Sequence, residues 1–131
     1  MIETRWNADF LATILGVIFV AVGLLGFIPN PLVYDGGFFH VNAGHNFVHL
    51  ITGALLLLSP FFGVPVIMIR VLAIIYTVVA ILGFVAPNVA ELGGLIAMNM
   101  ADQWLHAAIA LVLLAIGFAQ PMERSVTTAH M

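Results

Sequence analysis

Apolar residues run almost unbroken through four stretches of this chain, Phe10–Ile28, Ala43–Ser59, Val66–Val85 and Met100–Phe118. About 20 residues of apolar helix are needed to cross a bilayer, so the pattern predicts four transmembrane helices. The second and fourth stretches are slightly short and open on polar residues, which extends them toward the preceding loop. Pro29 and Pro31 close the first helix, Pro60 and Pro65 bracket the turn after the second, and Pro87 closes the third. The predicted fold class is all-α: a four-transmembrane-helix bundle forming one membrane domain over residues 1–131. The first stretch has an arginine ahead of it, as a signal peptide would, but no small-x-small cleavage pattern follows.

A second regularity lies at longer range. Shifting the chain by 57 residues aligns its halves without a gap. Leu25-Gly26-Phe27 falls on Leu82-Gly83-Phe84, Gly36-Gly37 on Gly93-Gly94, Asn42 on Asn99 and His49 on His106. Similar pairs are Phe19 with Tyr76, Asn46 with Gln103 and Phe47 with Trp104. Apolar matches between membrane helices arise easily, but glycine pairs, an asparagine and a histidine at one offset do not. The repeats cover about 9–60 and 66–117, and the first stretch is then the counterpart of the third, part of the fold. Each repeat crosses twice, so both copies run in the same direction and are related by an axis along the membrane normal. The second and fourth helices are expected to face each other across that axis.

Composition agrees with a lipid-facing surface. Hydrophobic residues make up 63% of the chain and charged residues 7%, with a mean hydropathy of +1.20; a water-exposed domain carries about 25% charged residues. No cysteine is present, which excludes disulfides and thiolate ligands. The net charge of −3 includes no basic run, so nucleic acid is not an expected partner. Arg5, Arg70 and Arg124 fall on one side of a four-pass chain, and the positive-inside rule puts both termini in the cytoplasm. The loops on the other side, 29–42 and 86–99, hold Asp35, His40 and Glu91 and no Lys or Arg.

Two related segments carry the chemistry, Asn42-Ala43-Gly44-His45-Asn46-Phe47-Val48-His49 and Asn99-Met100-Ala101-Asp102-Gln103-Trp104-Leu105-His106. A spacing of four puts His45 and His49 on one helix face, and likewise Asp102 and His106. The repeat sets the two pairs at matching depth, one to two turns inside the outer surface. Ionisable groups inside a span are costly and face the bundle interior, where they mark function. Three imidazoles and a carboxylate suit a divalent transition metal such as zinc, iron, nickel or copper(II) better than soft copper(I). Asn46 and Gln103, with Asn42 and Asn99, are candidates to orient the ligating rings.

Other readings of the same residues stay open, quinone or proton-relay roles among them. Asn, Gln and His commonly hydrogen-bond between membrane helices, and the cluster would then only hold the halves of a small structural subunit together. Alternatively His49 and His106, as equivalents on facing helices, are the axial pair for haem b or a related tetrapyrrole, with Gly53 and Ala110 one turn deeper leaving room for the ring. Elsewhere, His40 is a loop residue that could join the site from above, His130 belongs to a polar tail, and Arg70 is expected to snorkel. Trp6, Tyr34 and Trp104 fit interfacial anchoring, and Met68, Met98 and Met100 fit packing. Gly16, Gly23, Gly26, Gly44 and Gly53 are expected at close helix contacts, and the paired loop glycines at turns of positive φ.

The Gly-Phe-Ile-Pro-Asn end of the first helix, His45-Asn46-x-x-His49 followed by Gly53, and Asn99-x-x-Asp102-Gln103-x-x-His106 resemble an uncharacterised family of small bacterial four-helix membrane proteins. The resemblance spans almost the whole chain. Gln103 stands where an Asn is more usual in that family. What the resemblance implies is the topology, a multi-pass place in the bacterial cytoplasmic membrane and the prominence of the same four polar residues. It brings no activity with it. The function expected is metal binding by His45, His49, Asp102 and His106 in a sensing, storage or accessory role. No further nucleophile or general base accompanies them, which weighs against an enzyme. Expected partners are the lipid bilayer and either a larger membrane complex or further copies of the chain.

Overall fold

The computed structural model describes residues 2–123, with side chains from Asn7 onward. The Arg5 and Trp6 side chains, Arg124 and His130 lie outside the described residues, so the readings placed on them are carried forward as expectations only. The chain is mostly helical, in the order α1 (Ile2–Leu25), β1 (Val33–Tyr34), β2 (Phe39–His40), α2 (Ala43–Leu58), α3 (Pro65–Val85), α4 (Pro87–Ala90), a 3₁₀ turn (Leu92–Gly94) and α5 (Met100–Ala119). Three of these helices are long and apolar enough to cross a membrane: α1, α3 and α5. The fourth apolar helix, α2, is shorter at 16 residues.

Helix ends follow the local chemistry. The α-helix of α1 stops at Leu25 rather than Ile28, because the pyrrolidine ring of Pro29 disfavours helical geometry at the residue before it. The chain tightens instead through Phe27 N–H to Leu24 O and Ile28 N–H to Leu25 O. Asn30 then closes the turn: its amide donates to the carbonyls of Leu25, Ile28 and Val33, and its Oδ1 accepts from Leu32 and Val33 N–H. Pro65 opens α3 from its first position, where its missing N–H costs nothing. Three of the four paired loop glycines have positive φ, Gly36, Gly93 and Gly94. Gly37 does not; a side chain there would press on the Tyr34 backbone.

Packing is pairwise and antiparallel. The α1 helix lies along α2, and α3 lies along α5. Glycine sets the first contact: a Cβ on Gly16 would sit 2.9 Å from Gly53 O, and one on Gly53 would sit 2.8 Å from Gly16 O. The helices therefore meet backbone to backbone, as small residues allow between membrane helices. Further along, a Cβ at Gly26 would collide with the Asn46 side-chain amide. In the other pair, Gly83 faces Gln103 and Gly117 faces Ile69 and Arg70. Phe19, Leu56, Ile69, Leu72, Ala73, Tyr76, Ala110 and Leu113 fill the centre of the bundle. Met68 packs against this core and Met98 is buried, while Met100 is exposed.

The end of the bundle opposite the long loops is tied by reciprocal capping. Arg70 does more than snorkel. Its Nε donates to Gly117 O and its Nη2 to Gln120 O, both at 2.8 Å, satisfying terminal carbonyls of α5, and its guanidinium lies over the Phe118 ring. In return, Glu123 accepts from the Val66 and Ile67 N–H groups at the start of α3. A cation at a helix C-terminus and an anion at an N-terminus both suit the helix dipole.

Candidate metal centre

Asparagine fixes where each site-bearing helix begins. Asn42 (φ −121, ψ −179) and Asn99 (φ −120, ψ −175) are the N-caps of α2 and α5. Asn42 Oδ1 accepts from His45 N–H and Asn99 Oδ1 from Asp102 N–H, each at 3.0 Å. The same side chains reach across the bundle. Asn42 Nδ2 donates to Leu95 O, Asn42 Oδ1 accepts from Ala97 N–H, and Asn99 Nδ2 donates to Phe38 O. The two helices thus start at one level, each cap holding the other half's loop. These contacts make Asn42 and Asn99 capping residues rather than partners of the imidazole rings.

One turn inside, His45 and His49 from α2 meet His106 from α5. All three are buried, and one ligand nitrogen from each lies within 4.8 Å of the others. The His45 ring centroid is 4.5 Å from that of His49 and 5.5 Å from that of His106. Aromatic rings wall the other side: Phe19 meets His49 edge-on at 5.9 Å and Tyr76 meets His106 at 5.8 Å, with Phe19 and Tyr76 themselves 5.5 Å apart.

The hydrogen bonds sort the nitrogens. His45 Nδ1 is 2.6 Å from Ala97 O, and a carbonyl can only accept, so Nδ1 carries the proton and Nε2 presents a lone pair. A metal-ligating histidine is commonly held in this way through its other nitrogen. His49 Nδ1 and His106 Nδ1 are buried without a hydrogen-bond partner, as are Asn46 Oδ1 and Gln103 Oε1. Unpartnered buried polar atoms are uncommon and call for an explanation. Of these, the two histidine nitrogens belong to the triad, whereas Asn46 Oδ1 points at Gly26 of α1 and Gln103 packs on Gly83 of α3.

Asp102 does not join the three histidines among the described residues. Its Oδ2 accepts from Asn99 N–H at 2.9 Å, completing a capping box at the start of α5. At the third position of a helix, a carboxylate can fold back onto the cap N–H, and that local option competes with pointing inward. His40 is also drawn aside: its Nδ1 accepts from Gly36 N–H at 3.0 Å. The 3.4 Å approach of that same nitrogen to Asp35 is then not a hydrogen bond, because Nδ1 has no proton to give. Room for a macrocycle is not found at Gly53. Val20 Cγ2 would lie 2.6 Å from a Cβ built there, and Ala110 is buried in the core. Sequence reasoning missed the Ala97 carbonyl, which no side-chain pattern could reveal, and the ring walls of Phe19 and Tyr76.

A search of curated proteins finds no match to the chain, and a search of solved structures finds none. A family model does match, over residues 10–119. The chain belongs to that family, a domain of unknown function (DUF4383).

Proposed function

We propose that this protein is a four-pass membrane protein that binds one divalent transition-metal ion between α2 and α5, with His45, His49 and His106 as ligands. The observation that carries the reading is the convergence of three buried imidazoles in which His45 is already oriented by a backbone carbonyl while His49 Nδ1 and His106 Nδ1 lack partners. Zinc–imidazole bonds of about 2.0–2.1 Å put neighbouring ligand nitrogens about 3.3 Å apart in a tetrahedral site. Nitrogens already within 4.8 Å of one another reach that spacing by small side-chain adjustments. Three histidines leave one position for water or another ligand, which suits sensing, storage or an accessory role. Asp102 stays in its capping position at the start of α5 and is not among the ligands.

Four crossings and a tandem duplication belong to the same reading. The 16 residues of α2 rise about 24 Å, short of the roughly 30 Å hydrocarbon thickness. Loop 86–99 meets its outer end, where Leu95 O accepts from Asn42 Nδ2 and Ala97 O from His45 Nδ1, and supplies the remainder. The duplication is supported by contacts that recur at the offset of 57 residues. Phe27 on Phe47 (5.4 Å, 68°) is matched by Phe84 on Trp104 (5.0 Å, 67°). Phe19 on His49 is matched by Tyr76 on His106, and the two asparagine caps share their dihedrals and their crossed loop contacts. In this frame the axis passes between His49 and His106, and His45 is the residue that breaks the symmetry, its counterpart being Asp102. Both termini are cytoplasmic, the membrane is the bacterial cytoplasmic one, and the exposed apolar faces meet lipid, a larger complex or a second copy.

The test is metal uptake by the chelator-stripped protein in detergent, read by elemental analysis and by the visible bands of cobalt(II). One ion per chain is expected, lost in His49→Ala and His106→Ala and retained in His40→Ala. A wild type that takes up no zinc, copper or cobalt would reduce the cluster to polar contacts between helices, and a Soret band in the purified protein would favour haem.

A further inference from the structure

A cavity of about 420 Å³ opens on the loop-rich end, between the C-terminal end of α1 and the N-terminal end of α2, with Phe27, Tyr34, Asp35, His40, Asn46 and Ala97 among its lining residues. Asp35 brings a carboxylate to its wall, and neither long loop holds a lysine or arginine to oppose it. Asn46 is 2% exposed and lines the same cavity, with its Oδ1 lacking a partner. That oxygen points at Gly26, a further lining residue, whose lack of a side chain is what makes room for it. The third feature is the thinness of one wall. Ala97 faces the cavity, and its carbonyl is the group that accepts from His45 Nδ1 at 2.6 Å. A single residue therefore separates the cavity from the first histidine of the triad.

We propose that this cavity is the vestibule through which a hydrated divalent transition-metal cation reaches the histidine triad from the loop-rich side. The inference rests on the metal reading above. A cation surrounded by six waters occupies on the order of 180 Å³ at about 30 Å³ per water, so the cavity accepts it without dehydration. Asp35 attracts the ion at the cavity wall, and Asn46 and Ala97 line its path inward. Water is then exchanged for imidazole on the far side of Ala97. A charged wall of one sign raises the local concentration of the opposite ion and speeds capture.

Stopped-flow mixing of cobalt(II) with the stripped full-length protein in detergent tests the route. Three proteins are compared: wild type, Asp35→Asn, and Ala43→Phe, which fills the vestibule from an exposed lining position. Asp35→Asn is expected to lower the association rate several-fold at low ionic strength, with the difference fading as salt screens the carboxylate. Ala43→Phe is expected to lower it about tenfold or more at any salt concentration. In both, association and dissociation fall together, because a passage changes rates and not the bound state. Unchanged association rates in both variants overturn the vestibule and leave the triad standing. A rise in dissociation rate alone also overturns it, since these residues would then be holding the bound ion. A wild type that shows no cobalt(II) uptake fails the triad reading itself, and the vestibule with it.

Discussion

Gly53 is where the structure makes its sharpest claim about packing. A methyl group there would lie 2.6 Å from Val20 Cγ2, 2.8 Å from Gly16 O and 2.8 Å from Val20 N. Two of those atoms are backbone, so the strain cannot be released by a rotamer change, and α1 and α2 have to move apart. Overpacking of this kind costs about 1–3 kcal/mol, and the upper part of that range applies where backbone is struck. Replacing glycine by alanine within a helix returns at most about 1 kcal/mol. Gly53→Ala is therefore expected to destabilise the protein by about 2 kcal/mol, roughly a 30-fold fall in the folded-to-unfolded ratio. Gly83→Ala is the matched control. Its nearest contact is Gln103 Cγ at 3.1 Å, an atom of a flexible side chain, and the expected change is within about 0.5 kcal/mol. Equilibrium unfolding in mixed micelles of mild and denaturing detergent, followed by circular dichroism, measures both. A Gly53→Ala protein as stable as wild type, or a Gly83→Ala protein equally damaged, would refute the account of how the helices meet.

Three further outcomes are expected. Asp102→Asn keeps an oxygen for the Asn99 N–H and loses only the charge at the start of α5, costing about 0.3–1 kcal/mol; cobalt(II) affinity changes by less than tenfold, and a larger loss would place Asp102 in the coordination sphere. Arg70→Met removes two hydrogen bonds from a charged donor to the Gly117 and Gln120 carbonyls and is expected to cost about 2–3 kcal/mol. The same unfolding assay checks it, and a change below about 0.5 kcal/mol would mean that water replaces the cap. The chain has no cysteine, so single cysteines report topology: Phe38→Cys and Leu92→Cys should react in intact cells with a membrane-impermeant maleimide, whereas Phe62→Cys should react only after the membrane is opened. All three positions are exposed, and labelling of Phe62→Cys in intact cells would reverse the orientation.

Much of this architecture is readable from residue order because a bilayer leaves few choices. With no water to satisfy backbone polar groups, an apolar stretch of this length must be a helix, and proline and glycine mark where each helix stops. Positions of His49 and His106 were legible because the segment around one recurs around the other. His45 was legible from its spacing of four to His49, which puts both on one face of a single helix.

What the order of residues could not decide was direction. Asp102 occupies the place that matches His45, and a reading by position alone makes it a fourth ligand. In the folded chain it turns back to the Asn99 N–H, because a cap bond one turn away competes with the site. The Ala97 carbonyl that orients His45 is backbone, invisible to any motif, and it arrives through a loop 52 residues away in the chain. Gly53 carries the same lesson. Its sequence offers empty space, but whether that space admits a ring or another helix depends on what packs against it, and Gly16 and Val20 fill it. Local chemistry determined which segments are helices and which residues are polar among them; only the packing of the α1–α2 pair against the α3–α5 pair and the crossed loops determined which of those polar groups converge.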